Sequence, residues 1–343
     1  MTKIIVKSPC VVKLFGEHAV VHGKTAVAVG ISLYSTAIFK INESQILKIV
    51  LNDLKKEFLA DKEVLKRTYE QYIKKESIDQ YIKKNINIDK DVLPYLTIAA
   101  KGYIEFGCSE FGDLNIKSEV PKQSGLASSA SCYTAFTLAL LEASKKKLSD
   151  EECIELARDG ERVSHRNENA GRIDVSTAYY GGYVSFSGKE FIKHELKAKP
   201  NLLIINTGNK LPTSETVGRV TKMLAEKKVY TENIFDKINE CSINGLKYLY
   251  ENDLEKVGVL MYENHELLKL LEVSSKKLDI AVGISKKYNA HGAKLSGGGG
   301  GGVAVALLRE NNKLLENELI SEGFVCINTK ISEYGAKALI NKE

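Results

Sequence analysis

This chain has six cysteines and no Cys-x-x-Cys pair among them. Cys10, Cys108, Cys132, Cys153, Cys241 and Cys326 lie far apart, most in apolar surroundings. Nothing therefore points to a thiol redox motif or a disulfide framework. They read as reduced core residues, and a cytoplasmic protein is expected. No span of eighteen apolar residues occurs, so no membrane helix is expected. Lys3, Lys7 and Lys13 interrupt the apolar start, which removes the pattern of a signal peptide. A strong charge of one sign is missing too. The 49 basic and 44 acidic residues leave a net charge of +5, which suits a small anionic substrate. It falls short of a nucleic-acid footprint, so no nucleic-acid partner is expected. No repeat or low-complexity linker is present apart from one glycine run. At 343 residues with 43% apolar content, the chain is long enough for two domains sharing a cleft.

A helix is missing where a parallel dinucleotide-binding fold would need one. Residues 3–8, 10–15 and 25–39 read as consecutive strands, the first two broken near Pro9. That pattern predicts an antiparallel α+β domain. Residues 53–106 read as largely helical, with Leu54, Phe58, Val64, Leu65, Tyr69 and Tyr72 on one apolar face. Residues 113–120 alternate as a strand. Ser149-Asp150-Glu151-Glu152 is a capping box that opens a helix running to about Arg166. Residues 182–187 and 191–195 read as hairpin strands, 202–206 as a buried strand, and 213–278 and 279–288 as helix. Strands at 293–296 and 303–308 flank the glycines, and a helix from 312 to 322 precedes a strand from 324 to 330.

The densest functional signal is Pro121-Lys122-Gln123-Ser124-Gly125-Leu126-Ala127-Ser128-Ser129-Ala130-Ser131, which feeds an unbroken helix former from Cys132 to Ser144. A loop of small residues running into a helix N-terminus presents free N–H groups and a favourable dipole to an anion. Gly125 allows close backbone approach. Ser128, Ser129 and Ser131 offer hydroxyls for capping, for phosphate or for a metal. The loop lacks the lysine of the Gly-x-x-x-x-Gly-Lys-Ser/Thr motif and the extra glycines of a dinucleotide fingerprint. A plain serine-capped helix is the competing reading.

Four further features accompany it. Gly16-Glu17-His18 ends the strand that begins near Cys10; a solvated turn is the alternative. Glu161 sits late on its helix, where dipole logic does not place an acid, and a carboxylate there suits a divalent metal beside a phosphate. Its alternative is a solvated helix face. Asp174, in a loop between Gly171 and Gly181-Gly182, is placed to accept a substrate proton or to cap the next segment. Gly297 to Gly302 are six consecutive glycines between two good strands. Each costs roughly 0.5–1 kcal/mol against alanine in regular structure, so close approach to a bulky ligand is expected rather than a flexible linker.

Together, Ser8-Pro9 with Leu14-Phe15-Gly16-Glu17-His18-Ala19-Val20-Val21-His22-Gly23, Pro121 with Gly125-Leu126-Ala127-Ser128-Ser129-Ala130, and Lys294-Leu295-Ser296 with Gly297–Gly302 resemble the three ordered motifs of the GHMP kinases. That superfamily comprises galactokinase, homoserine kinase, mevalonate kinase and phosphomevalonate kinase. The first motif and the Gly160-Glu161-Arg162-Val163 to Gly181-Gly182 segment look most like the mevalonate kinase branch. The resemblance implies a two-domain α+β fold. A ribosomal-protein-S5-like ATP-binding domain would occupy residues 1–185, and a ferredoxin-like α/β domain 186–343. It also implies ATP and Mg2+ as cofactors, mevalonate as the small-molecule substrate, isoprenoid biosynthesis as the setting and a homodimer.

Carried onto this sequence, Pro121, Ser124, Gly125, Leu126, Ala127, Ser128, Ser129 and Ala130 would wrap the ATP phosphates. Ser129 and Glu161 would hold the metal, and Asp174 would take the hydroxyl proton. Glu17, His18, Thr213, Gly297, Gly298 and Gly299 would shape the substrate site. One position departs. The family's Pro-Gly-Lys is here Pro9-Cys10-Val11, and a lysine appears two residues later at Lys13. On a strand Lys13 shares a face with position 11, about 7 Å along, and is expected to act in its place. A lysine at this offset also resembles the diphosphomevalonate decarboxylases. That keeps other mevalonate-pathway enzymes of this fold, and a non-catalytic metabolite sensor, as alternatives.

Overall fold

The computed structural model describes residues 2–120, 125–188 and 190–342. Its frame is the long antiparallel ribbon of β1 (Thr2–Phe15) and β2 (Thr25–Ile41). Pro9 does not break β1. It falls at a register shift against β2, beyond the six residues of β1 that pair with another strand on the opposite edge, so its missing N–H costs little.

The next segment differs from the helical expectation. Leu47–Leu51 (β3) and Lys56–Ala60 (β4) form a hairpin, and Leu54 and Phe58 belong to its turn and second strand. The separation of 54 and 58 is four residues, which fits one face of a helix and, being even, one face of a strand equally well. Helix begins only where the Asp61 carboxylate caps Val64 N–H, giving α1 (Lys62–Ile73), followed by α2 (Ile78–Lys84) and α3 (Leu93–Ile104).

β5 (Gly112–Ser118) pairs with β2 and, in parallel, with β3. Then come α4 (Ser128–Ala143), α5 (Asp150–His165) and α6 (Arg172–Tyr180). The α5 capping box forms as read: Ser149 accepts from Glu152 N–H and the Glu152 side chain returns to Ser149. The hairpin β6 (Tyr183–Ser187) and β7 (Glu190–His194) hangs on β2.

β8 (Asn201–Lys210) opens the second sheet. The helices α7 (Thr213–Glu226), α8 (Lys228–Tyr250), α9 (Leu254–Leu270) and α10 (Lys276–Lys287) follow. The fourth of these starts at Lys276 rather than 279, because Ser275 caps it. β9 (Gly292–Ser296), β10 (Gly301–Leu308), α11 (Lys313–Ser321) and β11 (Val325–Lys330) complete a four-stranded antiparallel sheet in the order β11-β8-β10-β9.

A last strand, β12 (Lys337–Lys342), has no counterpart in the sequence reading. It returns to pair with β1 in the first sheet, ordered β12-β1-β2-β5-β3-β4. The first sheet thus holds strands on both sides of residue 185, and a boundary drawn there cuts the β6–β7 hairpin.

The pleat of β1 sorts its side chains between two cores. Cys10, Val12 and Leu14 face a core shared with β8–β10 and α8–α10, whereas Val11 packs with Ala26, Ala28, Ile173 and Ala178. The largest core therefore spans both sheets. Another fills the opposite side of the first sheet under α3, α4 and α5.

Candidate active site

Val11 and Lys13 share the β1 face that looks at α6. Val11 fills an apolar contact with Ile173, and Lys13 Nζ reaches Asp174 Oδ1 at 2.6 Å. Asp174 is neither in a loop nor an N-cap. It is the third residue of α6, whose N-cap is Gly171 in the left-handed region, and an acid there suits the helix dipole. Burial works against the Lys13 ammonium, but Asp174 beside it, with Glu17 and Glu161 further off, holds its pKa above the usual lysine value. Lys13 is also fixed through its backbone, where its N–H donates to Ser296 Oγ at 2.9 Å.

Gly16 turns the chain off β1 with φ +94°. A Cβ there would stand 2.4 Å from Ala26 Cα, so only glycine serves. The turn drives Glu17 and His18 inward, with 2% and 8% exposure, which excludes a solvated turn. Glu17 Oε1 accepts from the fully buried Lys294 Nζ, which also donates to Leu295 O at 2.7 Å. Glu17 Oε2 is buried with no partner among the described residues. His18 Nε2 lies 3.1 Å from Gly298 O. A carbonyl only accepts, so Nε2 carries the hydrogen and Nδ1 is left as an acceptor. Burial lowers the His18 pKa to about 4, and the ring is neutral at pH 7.

The glycine run meets its own chain. A Cβ on Gly298 would lie 2.8 Å from Thr213 Cγ2, at the first position of α7. On Gly299 it would lie 2.0 Å from Val273 O, which also accepts from Gly300 N–H at 2.8 Å. On Gly300 it would meet Leu211. Gly301 and Gly302 already belong to β10. At 299 and 300 the chain's own packing therefore accounts for the glycines without a ligand: the Val273 backbone crowds Gly299, and the Leu211 and Thr216 side chains crowd Gly300. Gly297, with φ +88°, faces Gly125 O. A linker is excluded.

Pro121 and Ser124 lie outside the described residues. Gly125 has φ +84° and packs on Val303. The Leu126 side chain is buried in the shared core, and its carbonyl accepts from Val11 N–H at 3.0 Å. Ala127, not a serine, is the N-cap of α4. It holds φ +48°, with no side-chain cap, so the serine-capped reading fails. A left-handed alanine costs roughly 1–2 kcal/mol, and the N-cap residue supplies no side-chain acceptor to the first-turn N–H groups. Ser128 and Ser129 are half-buried beside it, whereas the Ala130 side chain is buried. Ser131 is not a ligand candidate: its buried hydroxyl donates to Ser8 O at 2.7 Å.

Glu161 is 2% exposed, so it is no solvated face. Oε2 lies 3.2 Å from His165 Nε2, and Oε1 is buried without a partner among the described residues. Gly171 presses on it, since a Cβ there would meet Glu161 Cβ at 2.4 Å. Gly160 packs on Tyr133, one helical turn beyond Ser129 on the same side of α4. No cluster of three His, Cys, Asp or Glu among the described residues is arranged to hold a metal by itself. One orphaned carboxylate oxygen beside a phosphate-ready helix end fits Mg2+, which takes one or two carboxylates and completes its shell with phosphate and water.

The sequence reading missed Lys294, Ser296 and His165 as members of this cluster. Only Lys294 carried a signal, being a charge inside a short apolar strand.

The sequence carries the GHMP kinases N terminal domain at residues 94–182 and the GHMP kinases C terminal domain at 246–324. It is 33% identical to the mevalonate kinase of Methanocaldococcus jannaschii over 93% of this chain and 95% of that one. The chain belongs to the GHMP kinases. As a structure, this GHMP kinase superposes on the Methanococcus jannaschii mevalonate kinase with TM-score 0.79 and 29% identity, covering 96% and 98% of the two chains. It superposes on the L. major mevalonate kinase in complex with R-mevalonate with TM-score 0.75 and 26% identity, covering 95% of each. It is a small-molecule kinase of mixed helix and sheet. No described helix is long and apolar enough to cross a membrane.

Proposed function

We propose that this GHMP kinase uses ATP and Mg2+ to phosphorylate the primary hydroxyl of mevalonate, giving 5-phosphomevalonate for isoprenoid synthesis. The observation that carries the reading is the Lys13–Asp174 pair at 2.6 Å. Lys13 lies on β1 two residues after Val11, whose N–H donates to Leu126 O just before the start of α4, and three residues before the Gly16 turn that leads to Glu17 and His18. The relatives named mevalonate kinase, and the one solved with R-mevalonate, support the choice of substrate.

ATP with its metal supplies the phosphoryl group and neutralises its charge. The chain supplies position and electrostatics, which is most of what phosphoryl transfer asks of a protein. The first-turn N–H groups of α4 and the hydroxyls of Ser128 and Ser129 hold the phosphates. Ser129 and Glu161 hold the metal. Glu17, His18 and Thr213 orient the acceptor. Asp174 takes the proton from the attacking hydroxyl, and the Lys13 ammonium faces both that carboxylate and the transferring group.

The test is ADP release coupled to a visible readout, against mevalonate, phosphomevalonate, diphosphomevalonate, homoserine and galactose. Turnover with mevalonate at a kcat/KM at least tenfold above the others is expected. ADP release with carbon dioxide from diphosphomevalonate alone would replace this reading with a decarboxylase. No turnover on the whole panel would reject it.

A further inference from the structure

Lys294 lies in the second sheet and Glu17 at the end of a strand of the first. Their side chains meet across the joint with 0% and 2% exposure. Removing one partner of such a pair strands a charge in a dry interior, whereas removing both does not. The pairing is also lopsided. Lys294 Nζ binds Glu17 Oε1 and Leu295 O, and Glu17 Oε2 has no partner among the described residues. A buried, unpartnered carboxylate oxygen costs free energy unless a donor arrives. The loop that places it also places His18, whose Nδ1 has no hydrogen-bond partner among the described residues, and Lys13 reaches Asp174 from the strand before that loop.

We propose that Lys294 is a positioning residue for the acceptor: it pins one oxygen of Glu17, so that the other oxygen accepts a hydrogen bond from a second hydroxyl of the substrate. The inference rests on the reading of the site as a small-molecule alcohol kinase, and extends it to a residue that touches no substrate.

The groups facing Glu17 are few. Lys13 approaches from β1, Lys294 from β9 and His18 from its own loop. Cys241 on α8 and His265 on α9 lie next to Lys294. Burial holds Cys241 up at about 12 and both histidines down at about 4, so none of these three titrates between pH 6 and 9. Burial lowers the Lys294 pKa and Glu17 raises it in part.

Lys294→Met should raise the KM for the acceptor at pH 6.5 at least tenfold and leave the KM for ATP within twofold. The kcat at saturating acceptor should stay within about threefold, since Lys294 reaches neither the reacting hydroxyl nor the phosphates. Glu17→Gln/Lys294→Met should recover the melting temperature and show the acceptor KM of Glu17→Gln alone, because Lys294 acts only through Glu17. A packing role alone predicts an unchanged acceptor KM in folded Lys294→Met; that result, or a further rise in acceptor KM of the double variant over Glu17→Gln, overturns the proposal. If Lys294→Met does not fold, Lys294→Gln decides, since its shorter amide donates to Glu17 from a different place. A raised acceptor KM supports the role and an unaltered one rejects it. The assays use whichever alcohol of the panel the unaltered enzyme phosphorylates best. Failure of mevalonate as substrate is thereby read separately from failure of Lys294 as a positioning residue.

Discussion

At the scale of single residues, the site turns on which side of β1 a side chain emerges. Val11 stands where the family resemblance leads to the expectation of a lysine, and it is packed against Ile173. Lys13, one pleat repeat further, reaches the carboxylate instead. A primary alcohol is a poor nucleophile at neutral pH, so loss of its proton acceptor falls on the chemical step. Asp174→Asn should lower kcat by about 10²–10⁴-fold with little change in the KM for ATP. Lys13→Met should lower kcat comparably, and the double variant should be little worse than the poorer single one, because the two groups act as a unit. Steady-state kinetics over an ATP series checks this; an unchanged kcat in Lys13→Met would reduce Lys13 to a structural partner of Asp174.

Among the elements, the glycine segment between β9 and β10 changed its meaning most. Six glycines in a row demand a close approach to something. The tertiary structure shows Val273 O at the closest point, 2.0 Å from where a Gly299 Cβ would be, with Gly299 itself at φ +75°. Gly299→Val must therefore displace the segment between α9 and α10 before any substrate is involved. We expect a loss of stability of roughly 3 kcal/mol, seen as a lower urea midpoint in the protein without ligands. A variant with normal stability and a raised KM would return Gly299 to the ligand-contacting role. Gly298 is different. Its neighbours are the Thr213 side chain and, through its carbonyl, His18. A side chain there would disturb three segments of the candidate substrate site at once.

The whole molecule closes its site by joining two sheets through one core and through buried polar contacts. Two histidines in that joint carry a consequence for acid stability. His18 and His265 are buried and neutral, with pKa values lowered by burial to about 4. His265 is locked by donors and acceptors on both sides, taking Leu295 N–H at Nδ1 and facing Asp279 at Nε2. Folded values below the unfolded one of about 6.5 mean that both support the fold above pH 6.5. That support is lost as pH falls toward 4, at most roughly 3 kcal/mol for each. His22, His194 and His291 shift the same way through burial. The melting temperature should therefore fall between pH 6.5 and 5, before most carboxylates titrate. His265→Gln should flatten part of that slope, and a slope unchanged in this variant would place the acid sensitivity elsewhere.

Much of this was legible in order along the chain. The antiparallel opening, the capped α5, the helix after the serine loop and the glycine segment depend on local spacing and turn chemistry, which a linear pattern records. So does the choice of Asp174, Glu161, Glu17 and His18 as candidates within their motifs, which the structure finds buried or paired. The sequence could not tell the 54–58 spacing of a strand from that of a helix, because an even separation satisfies both. It gave no sign that β12 returns to β1, since pairing partners far apart in the chain leave no local trace. It did not separate Ser131, whose hydroxyl is spent on Ser8 O, from Ser129. Nor did it pair Lys294 with Glu17 across 277 residues. Such partnerships are decided by which faces meet when the two sheets share a core. Burial then fixes which charges stay paired and which carboxylate oxygens, on Glu17 and Glu161, have no partner among the described residues.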